Sequence, residues 1–208
     1  MSYEDERNAL VDRLARRESL SESTIAAMKA VPRHEFVPES RRDSAYADRP
    51  LPIGDDQTIS APHMVAIMAD LLDVNEGDSV LEIGTGCGYH AAVTAEIIGS
   101  KNLFTVEFSG KLAGRARETL ARIGYGAVSI REGDGREGWP ENAPYDAAYF
   151  TCAVPEIPEF VIEQVRGGGS ILAPVGRHSQ DLVRARVGAD GIESRETHGA
   201  VRFVSIRG

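Results

Sequence analysis

The feature that most constrains the fold is the run Val80-Leu81-Glu82-Ile83-Gly84-Thr85-Gly86-Cys87-Gly88-Tyr89. Residues 79–83 are a short apolar stretch that predicts a buried strand, and residues 89–98 read as a helix. Three glycines at alternate positions fill the turn between them. Glycine lets a ligand approach the backbone where a side chain would block it. The helix start behind the glycines presents unpaired N–H groups. Strand, glycine turn and helix in that order predict a nucleotide-type site at the carboxyl end of a strand. The spacing is G-x-G-x-G behind the acidic Glu82, not the G-x-G-x-x-G of dinucleotide binders.

The rest of the chain repeats this alternation. Strand 103–107 leads to helix 110–122, with Leu112, Ala116 and Leu120 on one face, and strand 127–131 follows. Strand 146–151 leads to helix 158–165, and Gly167-Gly168-Gly169 turns into strand 170–175. Strand then helix, repeated, predicts an α/β fold: a doubly wound, mostly parallel sheet covered on both faces. The tail carries two strand-like stretches, 181–187 and 201–206, with no helix between, so the sheet is expected to finish antiparallel. In front lie two amphipathic helices. One covers residues 4–17 with Leu10, Val11 and Leu14, and the other follows the cap-type Ser19 and Ser21, carries Ile25, Met28 and Val31, and stops at Pro32. Residues 46–62 are turn-rich, with Arg49 to Ile53 stretched out by Pro50 and Pro52. Met64, Ile67, Met68, Leu71 and Leu72 predict helix 62–72 with one buried face. One domain is expected, with 1–45 a helical appendage, 46–175 the core and 176–208 the closing strands.

Composition narrows the function. The formal net charge is −9, which argues against binding nucleic acid by neutralising phosphates. No apolar run approaches the roughly 18 residues of a membrane helix, and the acidic start is not a signal peptide, so a cytoplasmic monomer with no membrane partner is expected. Cys87 and Cys152 form neither a disulfide framework nor a zinc motif, and both read as small buried thiols. The five histidines lack metal-ligand spacing, so no metal is expected. Only Lys29, Lys101 and Lys111 are lysines among the 23 basic residues. Such an acidic, lysine-poor composition suggests salt adaptation, as in a halophile, with arginine-favouring codon usage the alternative.

Glu107 closes the second core strand, where an acidic residue accepts hydrogen bonds from ribose hydroxyls. Asp134 lies between Gly133 and Gly135 after the third strand, where it would accept an adenine amine, or simply form a tight turn. Glu82, Gly84, Thr85, Gly86, Gly88, Glu107, Asp134 and Gly135 therefore make up the expected cofactor site. An acidic pocket suits a sulfonium cation better than a pyrophosphate. That favours S-adenosylmethionine over NAD, as does the likeness of the loop to the E/D-x-G-x-G-x-G of S-adenosylmethionine-dependent methyltransferases.

With these motifs in place, the segment Gln57-Thr58-Ile59-Ser60-Ala61-Pro62 resembles the G-Q-T-I-S-x-P motif of protein-L-isoaspartate O-methyltransferases. Other pieces resemble that family in order: Val31-Pro32-Arg33 with Phe36-Val37-Pro38, Ala45-Tyr46 with Pro50 to Gly54, Gly133-Asp134-Gly135 with Gly138-Trp139, Ala143-Pro144-Tyr145-Asp146 with Thr151 to Pro158, and Val201-Arg202-Phe203-Val204. The resemblance spans nearly the whole chain. Two positions depart from it: Asp56 stands where the family has glycine, and Ser205 where it has proline. The extra charge of Asp56 lies beside a site that should receive a carboxylate.

The resemblance implies methyl transfer from S-adenosylmethionine to the free α-carboxylate of isoaspartyl residues in damaged proteins and peptides, initiating repair. It points to Ser60 as the residue that holds the acceptor, with Thr58 and Ile59 shaping the wall and Val201, Arg202 and Phe203 lining a peptide groove. The residues alone leave Ser60 open as the cap of helix 62–72, His63 as a helix or site-edge residue, and 201–203 as a plain edge strand. Methylation of another acceptor and a non-catalytic cofactor-binding module remain alternatives.

Overall fold

The computed structural model describes residues 2–208. Helix α1 (Tyr3–Glu18) starts at a capping box formed by Ser2 and Asp5 and buries Leu10, Val11 and Leu14. Helix α2 (Glu22–Ala30) is capped by Ser21, whose hydroxyl accepts from Thr24 N–H. Two 3₁₀ turns, Arg33–Phe36 and Glu39–Ser44, carry the chain past Pro32. The segment expected as a turn-rich connection contains a small hairpin, β1 (Leu51–Gly54) against β2 (Gln57–Ile59). Its turn is made by Asp55 and Asp56, both at φ 55°. Pro62 opens helix α3 (Pro62–Leu72). The buried residues of α3 are Pro62, Val65, Ala66, Met68, Ala69 and Leu72. Met64, Ile67 and Leu71, expected on that face, flank it as partly buried neighbours of the core. The small residues Ala66 and Ala69 let the helix approach more closely than a face of large side chains would.

The main sheet contains β3 (Val80–Ile83), β4 (Leu103–Glu107), β5 (Ser129–Glu132), β6 (Tyr145–Phe150), β7 (Val165–Val175), β8 (Gln180–Gly188) and β9 (Gly191–Val201). Its order is β5-β4-β3-β6-β7-β8-β9. The pairs from β5 to β7 are parallel and the last two are antiparallel. This is the expected doubly wound, mostly parallel sheet with an antiparallel finish. Helix α4 (Tyr89–Ile98) connects β3 to β4 and helix α5 (Gly110–Arg122) connects β4 to β5. Alternate strand residues feed two cores. Val80, Leu103, Ala147 and Leu172 join α1 to α5, while Leu81, Ile83, Ala148 and Ile171 join the opposite layer.

Three elements differ from expectation, the first being β7, which begins at Val165 and takes in Gly167-Gly168-Gly169, expected as a turn. Helix 158–165 shrinks to α6 (Glu159–Ile162), because Val165 pairs with Tyr145 and starts β7. The last strand is Gly191–Val201, not 201–206. That strand lies at the sheet edge and is almost wholly exposed, so it carries no apolar alternation to betray it. The more apolar stretch after it leaves the sheet.

Candidate active site

The chain crosses from β3 to α4 through glycines that have structural reasons to be glycine. Gly84 lies at φ 101° and Gly86 at φ 56°. A Cβ on Gly84 would collide with the Thr151 hydroxyl, which donates to the Gly84 and Ile83 carbonyls. Gly84 and Thr85 N–H both reach the Val106 carbonyl, so the loop is pinned over the ends of β3 and β4. Gly88, at φ 89°, opens α4. It faces Leu120 and Ala116 of α5 at 3.1–3.5 Å from a built Cβ. It therefore serves helix packing and is absent from the wall of the cleft that the other loop residues line.

That cleft encloses about 770 Å³ of atom-free space, its open mouth included, within the range of small-molecule sites. It lies at the carboxyl ends of the strands where β3 has β4 on one side and β6 on the other, the switch point such sheets use for ligands. Gly84, Thr85, Gly86, Glu107, Gly135, Thr58, Ile59 and Ser60 all line it. Glu107 is 8% exposed. Its Oε2 accepts Gly86 N–H at 2.7 Å and its Oε1 accepts Ser109 N–H at 2.9 Å. Each carboxylate oxygen keeps a second acceptor site, so a diol can still be received.

Glu82 is placed differently from expectation. It is fully buried and absent from the cleft wall. Its Oε2 accepts the Thr105 hydroxyl at 2.6 Å, and Thr105 pairs with the Thr85 hydroxyl at 2.7 Å. Burial pushes the Glu82 carboxyl up to about 8, against the hydroxyl hydrogen bonds that lower it. It is a support beneath the loop and makes no contact with the cleft. Asp134 also stands back from the wall. Its carboxylate accepts Arg136 N–H at 2.9 Å and pairs with the Arg136 guanidinium, and that pairing above all holds its carboxyl below the usual range. Gly135 reaches the wall in its place, where a Cβ would strike Ile83.

On the facing side, Gln57 to Ser60 run along β2 into α3. The residue before Pro62 that caps α3 is Ala61, without a side-chain hydrogen bond. Ser60 is therefore not a helix cap, and its hydroxyl is left for the cleft. His63 is turned to Asp48, whose Oδ1 takes both its backbone N–H and ring Nδ1 at 2.9 and 2.8 Å; it stays off the wall. Asp56 is exposed in the hairpin turn and also off the wall.

Val201, Arg202 and Phe203 do not line the cleft; Val204, Ser205, Ile206 and Arg207 do. The Gln180 side chain clamps Phe203, taking its N–H at 2.7 Å and donating to its carbonyl at 3.1 Å. Ala153 then binds Val204 O and Ile206 N–H at 2.7 and 2.8 Å. This strap, displaced a few residues from the motif, walls the site.

The wall also holds residues without a motif signal. Phe108 is 50% exposed beside Glu107, and a large apolar residue right after the strand-end acid was the available clue. Thr151 and Cys152 follow β6 next to the loop. His90 is buried with neither ring nitrogen hydrogen-bonded, and burial drives its pKa down to about 3, leaving a neutral imidazole. Cys87, expected as a buried thiol, is only half-buried in the loop and also lines the cleft. The set fits a nucleoside with a charged tail: glycines that admit close backbone approach, an acid with free acceptor sites and an exposed aromatic face.

The family model of protein-L-isoaspartate(D-aspartate) O-methyltransferase matches residues 5–208. Protein-L-isoaspartate O-methyltransferase 2 of Archaeoglobus fulgidus is 50% identical, covering 100% of this chain and 95% of that one. The protein-L-isoaspartate O-methyltransferase of Methanothermobacter thermautotrophicus is 49% identical over 98% and 96%. Among solved structures, a protein-L-isoaspartate O-methyltransferase superposes with a TM-score of 0.90 at 30% identity, covering 97% of this chain and 66% of that one. A β-aspartate methyltransferase from Plasmodium falciparum in complex with S-adenosyl-L-homocysteine shares the fold, with a TM-score of 0.83 at 22% identity over 97% and 98%.

Proposed function

The chain belongs to the protein-L-isoaspartate(D-aspartate) O-methyltransferase family, and we propose on that premise that the cleft between the glycine loop and Ser60 is its catalytic site. The activity is methyl transfer from S-adenosylmethionine to the free α-carboxylate of isoaspartyl residues in damaged proteins. The ester so formed cyclises to a succinimide, which can reopen to normal aspartate. One observation carries the site assignment: a single cleft holds the glycine loop and Glu107 on one side and Gln57 to Ser60 on the other.

S-adenosylmethionine, when bound, supplies a methyl group activated by the positive sulfonium. Glu107 would receive ribose hydroxyls with its remaining acceptor sites, and Gly84, Thr85, Gly86, Phe108 and Gly135 would shape the nucleoside seat. The acceptor carboxylate is already ionised at neutral pH, having a pKa of about 4. No general base is therefore required, and the residues contribute orientation above all. The Ser60 hydroxyl donates to one carboxylate oxygen and directs the other. Thr58 frames the acceptor from β2, and the buried Ile59 and Val65 limit water around it. We place the enzyme in the cytoplasm, on the support of its free Cys87 and Cys152 thiols.

The test is methyl transfer to one peptide in isoaspartyl and aspartyl forms. The isoaspartyl peptide should be methylated and the aspartyl form ignored, since misplacing a nucleophile by about 1 Å costs on the order of 100-fold. Ser60→Ala should lower turnover about tenfold or more, the worth of a hydrogen bond to a charged group, and leave the melting temperature unchanged because no cap is lost. Equal rates on both peptides would overturn the repair activity. Full activity in Ser60→Ala would remove only Ser60 from the site.

A further inference from the structure

Both ligands of this cleft bring a carboxylate: the amino-acid end of S-adenosylmethionine and the isoaspartyl acceptor. The cleft wall, however, carries one carboxylate of its own, Glu107, and among the described residues only one permanent cation, Arg207. The histidine on the wall, His90, is neutral. Arg207 leaves the strap and reaches the turn of the hairpin whose second strand carries Gln57 to Ile59. Its Nη1 lies 3.2 Å from the Asp55 Oδ2, and its Nη2 donates to the Asp55 carbonyl at 2.8 Å. A guanidinium has five N–H donors in a fork that matches a carboxylate, so Nε and the other hydrogens have no protein partner among the described residues.

We propose that Arg207 is a carboxylate-binding residue of the cleft, with Asp55 occupying it until a ligand carboxylate takes its place. The exchange is cheap. The Arg207 and Asp55 side chains are 40% and 33% exposed, and pairs exposed to that degree contribute roughly 0–1 kcal/mol. A ligand carboxylate on the cleft side gains a bidentate guanidinium partner. The strap itself does not need to move, because Ala153 and Gln180 hold its backbone independently of Arg207. The inference rests on the activity assigned above and names a residue for it that no motif marks.

Calorimetry and kinetics on Arg207→Gln and Asp55→Asn test it, using S-adenosylhomocysteine, 5′-methylthioadenosine, which lacks the amino-acid end, and an isoaspartyl peptide. If Arg207 holds the cofactor's carboxylate, Arg207→Gln weakens S-adenosylhomocysteine about ten- to a hundredfold and leaves methylthioadenosine unchanged. If it holds the acceptor, S-adenosylhomocysteine binding is unchanged and KM for the peptide rises by the same factor with kcat retained. Under either source Asp55→Asn tightens the affected ligand, and Arg207→Lys recovers part of the loss. Arg207→Gln that alters neither affinity nor KM overturns the inference, and so does an equal loss for both nucleosides, which would make Arg207 a brace for the cleft. A wild type that binds S-adenosylhomocysteine and methylates no isoaspartyl peptide counts against the activity, and the calorimetric comparison still decides on Arg207.

Discussion

Glu107 ends β4 and Glu82 lies one residue before the end of the adjacent β3, and their surroundings give them different duties. Glu107 touches the cleft and anchors Gly86 and Ser109 through their N–H groups. Glu107→Ala should weaken S-adenosylhomocysteine binding by roughly 1.5–3 kcal/mol in calorimetry, with some loss of stability because two N–H groups lose their acceptor. Unchanged affinity would take Glu107 out of the ribose seat. Glu82 never meets the cleft. Its folded pKa of about 8 stands above the ordinary carboxyl value of 4.5, so the folded state holds the proton more tightly. Its contribution is full below pH 4.5 and is lost as pH rises through 8, with a slope of up to about 1.4 kcal/mol per unit. His90 runs the other way. Its folded pKa of about 3 lies below 6.5, so its penalty appears as pH falls below 6.5. Between pH 6.5 and 8 Glu82 acts alone of the two, and Glu82→Gln should flatten the fall in melting temperature there. An unaltered slope would mean that Glu82 is ionised in the folded protein. A residue type and its place at a strand end identify such acids in a sequence. Whether the side chain turns to the cleft or under the loop depends on neighbours such as Thr105, which local patterning does not report.

At the scale of elements, the strongly periodic parts were readable and the polar or short ones were not. Helices α4 and α5 and strands β3, β4 and β6 follow from apolar patterning, because both faces of their sheet are covered. Strand β9 is exposed along nearly its whole length, and the β1–β2 hairpin is held by a two-residue turn of aspartates. Neither advertises itself. The strap was visible as a motif and misplaced in function: Phe203 is clamped by Gln180, and the wall begins at Val204. Its course depends on Gln180 and Ala153, both distant in sequence. The hairpin turn yields a further prediction. Asp55 and Asp56 both sit at φ 55°, a region that costs L-residues roughly 1–2 kcal/mol and aspartate less. Asp56→Gly, restoring the residue that the resemblance leads one to expect, should stabilise the protein by up to about 1 kcal/mol in denaturant unfolding, the relief of the left-handed backbone less the entropy that glycine loses on folding. Asp56 is off the cleft wall, so KM for the isoaspartyl peptide should stay the same. A drop in KM would show that its charge reaches the acceptor.

For the whole molecule the question is what an excess of nine negative charges does to a fold whose ion pairs lie mainly at its surface. Salt acts on two opposing populations. Contact pairs such as Lys29–Asp12 at 2.7 Å and Arg122–Glu35 at 2.6 Å are attractive, exposed and individually small. The repulsion among the remaining carboxylates is spread over larger separations. The Debye length falls from about 10 Å at 0.1 M to 3 Å at 1 M. Screening therefore removes the spread-out repulsion before it reaches pairs already in contact. With 32 acidic residues against 23 basic ones, the relief of repulsion should win, and the melting temperature should climb between low and molar KCl. Sodium sulfate would blur the result by strengthening apolar burial as well, so a chloride series is the cleaner choice. A rising curve would make the lysine-poor, acidic surface an adaptation to salt. A flat or falling one would mean that the local pairs already balance the net charge, and that the preference for arginine reflects codon usage and not the solvent in which the enzyme works.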